Sequence, residues 1–141
     1  MISHELAKAL KRAGLQWQPV ERDFFMMPEH NLEGQVFVVS PLPALVQSFS
    51  GERTITFHGA IEWALDYVLM TEAVWLPTET QLRELLARAV GAEAPLRLDR
   101  VEAGYRLQVG VDADVLEYVE PSAEDAYGSA LLHVLQQATP H

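Results

Sequence analysis

Two carboxylates near the middle of the chain have the spacing that acid–base chemistry requires. Glu62 and Asp66 lie one helical turn apart, and the aromatic residues Trp63 and Tyr67 stand beside them. Burial next to aromatic rings raises the pKa of a carboxyl group, which can then act as a general acid or base. The pattern predicts a small-molecule-binding or catalytic site around Trp63, Asp66, Tyr67 and Trp75. The alternative, which the sequence favours, is that the two carboxylates form the solvated face of a helix.

Other catalytic and metal-binding motifs are absent from the sequence. The chain has no cysteine, which excludes disulfides, thiolate metal sites and cysteine nucleophiles. Asp112, Asp114 and Glu117 lack the glycine and the further oxygen ligands of a calcium-binding loop. The sequence contains no phosphate-binding glycine loop and no nucleophile elbow. We therefore predict no metal, no cofactor and no catalytic residue, and the sequence favours a protein that is not an enzyme.

Acidic residues dominate the charge of the chain. Twenty Asp and Glu residues outnumber ten Lys and Arg residues, and the formal net charge is −10. From Leu107 to His141 there is no Lys or Arg at all. Such a segment repels a phosphate backbone, which excludes nucleic-acid binding through a basic surface.

The same charge is suited to a basic protein partner, since complementary charges raise the rate and the specificity of association. The predicted binding residues are those of the densest acidic run: Asp112, Asp114, Glu117, Glu120 and Glu124. The alternative is that these acidic residues only increase solubility.

Helices that would position these residues are predicted from their capping signals. Ser3 caps a first helix that ends at Gly14. Thr78 and Gln81 have the spacing of a capping box at the start of a second helix. Ser122 caps the last helix, which follows the acidic run.

Strands are predicted from β-branched or alternating segments. Residues 35–39 have the profile of a short buried strand, and residues 115–119 that of a strand near the C-terminal end. Residues 53–57 alternate at period two, which places Ile55 and Phe57 on the inward face.

A hairpin is predicted before the acidic run. Its apolar positions match when Leu98 lies opposite Leu107 and Leu96 lies opposite Val109. This register leaves residues 101–104 as a four-residue loop.

Together these elements predict a single α+β domain over residues 1–141. We expect a small, mostly antiparallel sheet of five or six short strands, with helices packed on one face. Residues 60–70 are predicted to form a further helix.

A cytoplasmic protein with no membrane partner is expected. The apolar stretch at residues 60–70 contains Glu62 and Asp66 and falls short of the ~20 residues of a membrane-spanning helix. The first residues show no basic and apolar regions of a secretory signal.

The ordered pattern resembles a family of small uncharacterised bacterial proteins, some of which are labelled as pilus assembly proteins. The likeness covers nearly the whole chain, and its most specific part runs Trp75-Leu76-Pro77-Thr78-Glu79-Thr80-Gln81-Leu82-Arg83. Further parts are Ala13-Gly14-Leu15-Gln16-Trp17-Gln18-Pro19, Val36-Phe37-Val38-Val39-Ser40, Glu62-Trp63-Ala64-Leu65-Asp66 and Glu124-Asp125-Ala126-Tyr127-Gly128-Ser129-Ala130-Leu131-Leu132. The resemblance implies no catalytic residues, and its label implies a pilus-associated accessory factor.

Four hypotheses about function follow. The leading one is a non-enzymatic, acidic binding module that contacts a basic protein. The others are a small-molecule or catalytic site around Trp63, a structural or oligomerising subunit, and a pilus-associated accessory subunit. The sequence leaves the oligomeric state open.

Overall fold

The computed structural model describes residues 1–28, 35–39, 45–48, 54–56 and 72–138. These residues divide into two compact units, one formed by Met1–Leu15 with Pro77–His141 and the other by Gln16–Leu76. Helices and antiparallel strands occur together, which confirms the predicted α+β class. The helices are α1 (His4–Arg12), α2 (Glu79–Val90) and α3 (Ala123–Ala138).

The described strands number eight and form two sheets, where the sequence analysis expected one. The first five are β1 (Phe24–Met26), β2 (Phe37–Val39), β3 (Leu45–Ser48), β4 (Thr54–Thr56) and β5 (Val74–Leu76). The remaining three are β6 (Leu96–Val101), β7 (Gly104–Val111) and β8 (Asp114–Glu120). The prediction of one domain over residues 1–141 stays a prediction.

The helix ends of the first unit follow the predicted capping signals. The Ser3 hydroxyl accepts a hydrogen bond from the amide of Leu6, which confirms the first cap. At the other end of α1, the amide of Leu15 donates to the carbonyl of Leu10 over 3.0 Å, and Gly14 has a φ of 100°. This is the Schellman arrangement, in which a left-handed residue closes the helix.

The other two helices also begin as predicted. Both hydrogen bonds of the capping box between Thr78 and Gln81 are present at the start of α2, at 2.9 and 3.2 Å. At the start of α3 the Ser122 hydroxyl accepts from the amide of Asp125 over 3.1 Å.

The three-stranded sheet has the order β6-β7-β8 and the register that the apolar positions predict. Leu98 pairs with Leu107, and Leu96 pairs with Val109. The predicted four-residue loop is shorter, because Val101 pairs with Gly104 and only two residues connect the strands. Gly104 permits this tight turn, since its φ of 134° is a conformation that residues with a side chain rarely adopt.

Helix α3 packs on β7 and β8, and α1 and α2 pack on α3. Leu107 and Val109 are fully buried on the face of the sheet that these contacts cover. The close approach of α1 to α3 occurs at Gly128, where an added Cβ would lie 2.7 Å from the Leu6 side chain. The hydrophobic core of this unit therefore lies on one side of the sheet, as predicted for helices packed on one face.

The second unit contains a five-stranded antiparallel sheet in the order β4-β3-β2-β1-β5. Aromatic rings form its core: the rings of Trp17 and Phe25 lie 5.4 Å apart and those of Phe25 and Phe37 lie 5.5 Å apart. The strands predicted near residues 35–39 and 53–57 are confirmed as β2 and β4. The helix predicted over 60–70 and the side chain of Phe57 lie outside the described residues.

In the described parts of the chain, none of the helices has the length and apolarity that crossing a membrane requires.

Substitution of Gly104 tests the tight turn. A Cβ added to Gly104 would collide with the backbone carbonyl of Glu120 and lie 2.8 Å from the Pro121 Cα, in addition to the backbone strain. We expect Gly104→Ala to lower the free energy of unfolding by about 2–4 kcal/mol, measured by urea denaturation. Gly14→Ala is the matched control, because Gly14 also has a positive φ but no atom within 4 Å of the added Cβ. A loss at Gly104 no larger than that at Gly14 would show that the close contact is not present.

Candidate functional site

The connection between β7 and β8 displays two of the predicted acidic residues. Val111 pairs with Asp114, so that Asp112 and Ala113 alone form the turn. Asp112 has a φ of 54°, which aspartate tolerates better than most residues. Asp112 and Asp114 are both exposed.

Strand β8 separates its residues into a buried and an exposed set. Leu116, Tyr118 and Glu120 are half-buried on the side on which α3 packs. The residues between and before them, Val115, Glu117 and Val119, point to the other side. On that outer side Val115 is 67% exposed and Val119 is 48% exposed, with the exposed Glu117 between them. We call Val115, Glu117 and Val119 the β8 stripe, and Asp112, Asp114 and Glu117 the acidic surface.

The other two predicted binding residues are held by neighbouring groups. Glu120 accepts a hydrogen bond from the Ser129 hydroxyl on α3 over 3.2 Å. Glu124 forms an ion pair with the α-amino group of Met1, and this hydrogen-bonded cation holds the pKa of the Glu124 carboxyl below its usual value. The structure therefore leaves Asp112, Asp114 and Glu117 exposed, and it places Glu120 and Glu124 in contacts within the unit.

Glu117 belongs to a charged network on the outer face of the sheet. Its carboxylate accepts a hydrogen bond from the Gln108 amide over 3.2 Å and lies 3.7 Å from the Arg106 Nε. The Arg106 guanidinium also lies 3.4 Å from Asp99, which forms a second ion pair with Arg97 at 3.0 Å. Arg106 is thus the cation that contacts the acidic surface, from the β7 side.

An open groove borders the acidic surface at the C-terminal end of α2. Its volume is about 600 Å³, and residues of the α2–β6 connection and of the β7–β8 turn line it. The lining includes Val90, Glu93, Pro95, Asp112, Asp114 and Val115, and it contains no Lys or Arg. The carboxylates in this lining are Glu93, Asp112 and Asp114. The C-terminal end of α2 carries the negative end of the helix dipole, which adds to the negative potential of the groove. We call this space the α2–β8 groove.

Metal binding receives no support from the described residues. They contain no cluster of three or more His, Asp or Glu side chains that could hold an ion.

His133 on α3 packs against Tyr118 on β8, with ring centres 6.4 Å apart. Burial raises the pKa of the Tyr118 hydroxyl.

The alternative site around the tryptophans is only partly described. Trp63, Asp66 and Tyr67 lie outside the described residues. Trp75 lies on β5, and its ring stacks on that of Trp17 at 6.3 Å. The Trp75 Nε1 is buried, and no hydrogen-bond partner is found for it among the residues that the structure describes.

Sequence reasoning missed the partner of the other indole in this stack. The Trp17 Nε1 donates to the Asp23 carboxylate over 2.9 Å, and the amide of Val20 donates to the same oxygen over 3.1 Å. Asp23 is 3% exposed, and its carboxylate satisfies both of these donors. The sequence shows only an acidic residue close to Trp17. This pattern does not distinguish a buried hydrogen-bond acceptor from a solvent-exposed carboxylate.

Comparison with protein-family models, with curated proteins and with solved structures gives no match to this chain.

The charged network can be tested by removing its shared cation. Arg106→Gln removes the positive charge that partly neutralises the carboxylates of Asp99 and Glu117. We therefore expect a loss of about 0.5–1 kcal/mol in the free energy of unfolding at low salt, and a smaller loss at about 1 M salt. The measurement is urea denaturation at both salt concentrations. Arg100→Gln is the matched control, since within the described residues Arg100 is exposed and forms no ion pair. Equal effects of the two substitutions would contradict the network.

Proposed function

We propose that this chain is a non-enzymatic, acidic binding module whose acidic surface contacts a basic protein partner. The observation that carries the proposal is the coincidence of three exposed carboxylates, Asp112, Asp114 and Glu117, with two exposed valines on one short segment. We further propose a bacterial, cytoplasmic protein of the uncharacterised family that the sequence resembles.

Charge supports this proposal because the acidic surface is largely unopposed. From Leu107 onward the sequence has no Lys or Arg, and Arg106 forms an ion pair only with Glu117 among the three carboxylates. A surface of one sign attracts partners of the opposite sign over distances of about 10 Å at moderate salt. The α2–β8 groove beside it offers apolar residues for the aliphatic stem of a lysine or arginine and carboxylates for its charged end.

The exposed valines favour binding over solubility alone. Acidic residues that serve solubility alone need no apolar neighbours, and surfaces optimised for solubility keep large apolar side chains covered. Val115 and Val119 instead remain exposed on both sides of Glu117. Protein-binding surfaces combine exposed apolar side chains with charged and polar groups.

The proposal predicts that neutralising the acidic surface releases the partner. The immobilised protein would be exposed to lysate of its own source at about 0.01 M and about 1 M salt, and captured proteins would be identified by mass spectrometry. We expect a basic protein that is retained at low salt and released at high salt. The triple substitution Asp112→Asn, Asp114→Asn and Glu117→Gln should weaken its capture by roughly tenfold, because three partly screened charge pairs are lost.

The matched control removes the same charge elsewhere. Glu21, Glu84 and Glu102 are exposed and lie outside the acidic surface, so Glu21→Gln, Glu84→Gln and Glu102→Gln together change the net charge by the same amount. Retention of the partner by the control and its loss by the first triple variant support a local site. Equal weakening of both variants would show that net charge alone attracts the protein, and the proposal would then be rejected.

A second candidate function is a small-molecule site near Trp75. It is favoured by the buried Trp75 Nε1, an N–H donor for which the described residues provide no acceptor. Such a donor is costly to bury unless a ligand, a water or another group accepts from it.

The second candidate is tested by a thermal-shift screen of small molecules that carry hydrogen-bond acceptors. Trp75→Phe removes the N–H and keeps an aromatic ring, so we expect any true ligand to lose its stabilising effect in this variant. A ligand that stabilises both proteins equally would contradict a site at Trp75.

A further inference from the structure

We propose that the free edge of β8 binds an extended, basic segment of the partner as a fourth strand of the three-stranded sheet. The inference rests on the proposed function, because it specifies how a basic protein would engage the acidic surface. Strand addition at a sheet edge obtains its affinity from main-chain hydrogen bonds and its specificity from alternate side chains.

Strand β8 lies at one edge of its sheet. The order β6-β7-β8 places β8 last, and within the described residues only β7 pairs with it. Alternate residues of an outermost strand direct their N–H and C=O groups away from the sheet, where they are available to a new strand. At seven residues, Asp114–Glu120, β8 is long enough to pair with an extended peptide.

The charged side chains that protect the β8 edge are all carboxylates, which oppose an acidic strand but not a basic one. Proteins also block exposed edges with lysine, proline or a bulge. Strand β8 contains no lysine or proline, and its ladder with β7 is continuous from Glu120 to Asp114. The opposite edge, β6, carries Arg97, Asp99 and Arg100, charges of both signs that deter pairing.

The side chains of β8 are complementary to a strand that carries basic and apolar residues. In a neighbouring strand, directly opposed residues have Cβ atoms about 4.5–5.5 Å apart, so opposite charges and apolar pairs stabilise the pairing. A strand beside β8 would therefore place lysine or arginine opposite Glu117 and apolar side chains opposite Val115 and Val119. A further basic residue would lie opposite Asp114, which is exposed.

Repulsion between like charges disfavours a second copy of this chain as the occupant. Two β8 strands would bring together only carboxylates, because β8 has no basic residue. Antiparallel pairing centred on Glu117 would place this residue opposite its own copy and Asp114 opposite Glu120, and directly opposed like charges are destabilising.

The probe is the synthetic peptide acetyl-Thr-Arg-Val-Thr-Lys-Thr-Val-Arg-Thr-amide. Its central lysine corresponds to Glu117 and its valines correspond to Val115 and Val119. Its palindromic sequence presents the same side chains in a parallel or an antiparallel strand. Two further peptides carry N-methyl groups on the odd or on the even positions, which removes the backbone donors from one edge or the other without changing charge.

Binding of each peptide to the full chain is measured by isothermal titration, and hydrogen exchange of the β8 amides is followed by NMR. We expect the parent peptide to bind, one methylated peptide to bind about tenfold more weakly and the other to bind as the parent does. Alternate amides in Asp114–Glu120 should exchange more slowly in the complex. Glu117→Gln should weaken binding of the parent peptide. Glu84→Gln, which removes an exposed carboxylate on α2, should not weaken it.

The outcomes separate this inference from the proposed function. If all three peptides bind equally, or if both methylated peptides are weakened equally, docking does not use one edge of the strand and the inference is wrong. Absence of parent binding, or a concentration-dependent dimer that blocks β8, would also overturn it. The proposed function fails only when neutralising the acidic surface leaves capture of the basic partner unchanged or affects it no more than the control substitutions do.

Discussion

Burial of one face of the β6–β7–β8 sheet is the constraint on which the candidate surface depends. Leu107 and Val109 are fully buried, and α3 packs on β7 and β8. A one-residue change of register would exchange buried and exposed side chains along a whole strand, so this burial fixes the register. The alternation that places Leu116 and Tyr118 toward α3 must therefore place the β8 stripe on the opposite face. Val115 and Val119 are exposed because the opposite face of β8 packs into the core. Only a group that does not belong to the sheet can cover them.

Charge is distributed unequally between the two edges of this sheet. Strand β6 and the neighbouring part of β7 contain a network of both signs, in which Arg97, Asp99 and Arg106 compensate one another. The charged residues of strand β8 and its turn are all carboxylates, and Arg106 partly compensates the charge of Glu117 from one side. The partner we propose would supply the missing positive charge on the other side of Glu117. Exposed carboxylates are inexpensive to keep in water, so such a surface is stable alone and selective for basic partners.

Much of the first unit was predictable because local rules determine it. Caps at Ser3 and Thr78 follow from side-chain chemistry, and the hairpin register follows from matching apolar positions. The division of the strands into two sheets was not predictable, since the pairing of β1 with β5 joins residues far apart in sequence. The sequence also located the acidic run but not its exposed part. Only the folded structure shows that Ser129 and the Met1 amine hold Glu120 and Glu124, whereas Asp112 and Asp114 remain exposed.

The most direct test of this account is an NMR titration of the labelled chain with the basic protein that it captures at low salt. The account predicts that amide resonances of Asp112 and of Asp114–Glu120 shift on binding, and that those of α1 do not. Raising the salt concentration should reverse the shifts. Shifts centred on Trp75 and the surrounding aromatic core, with none on β8, would contradict the central claim and would favour a site in the other unit.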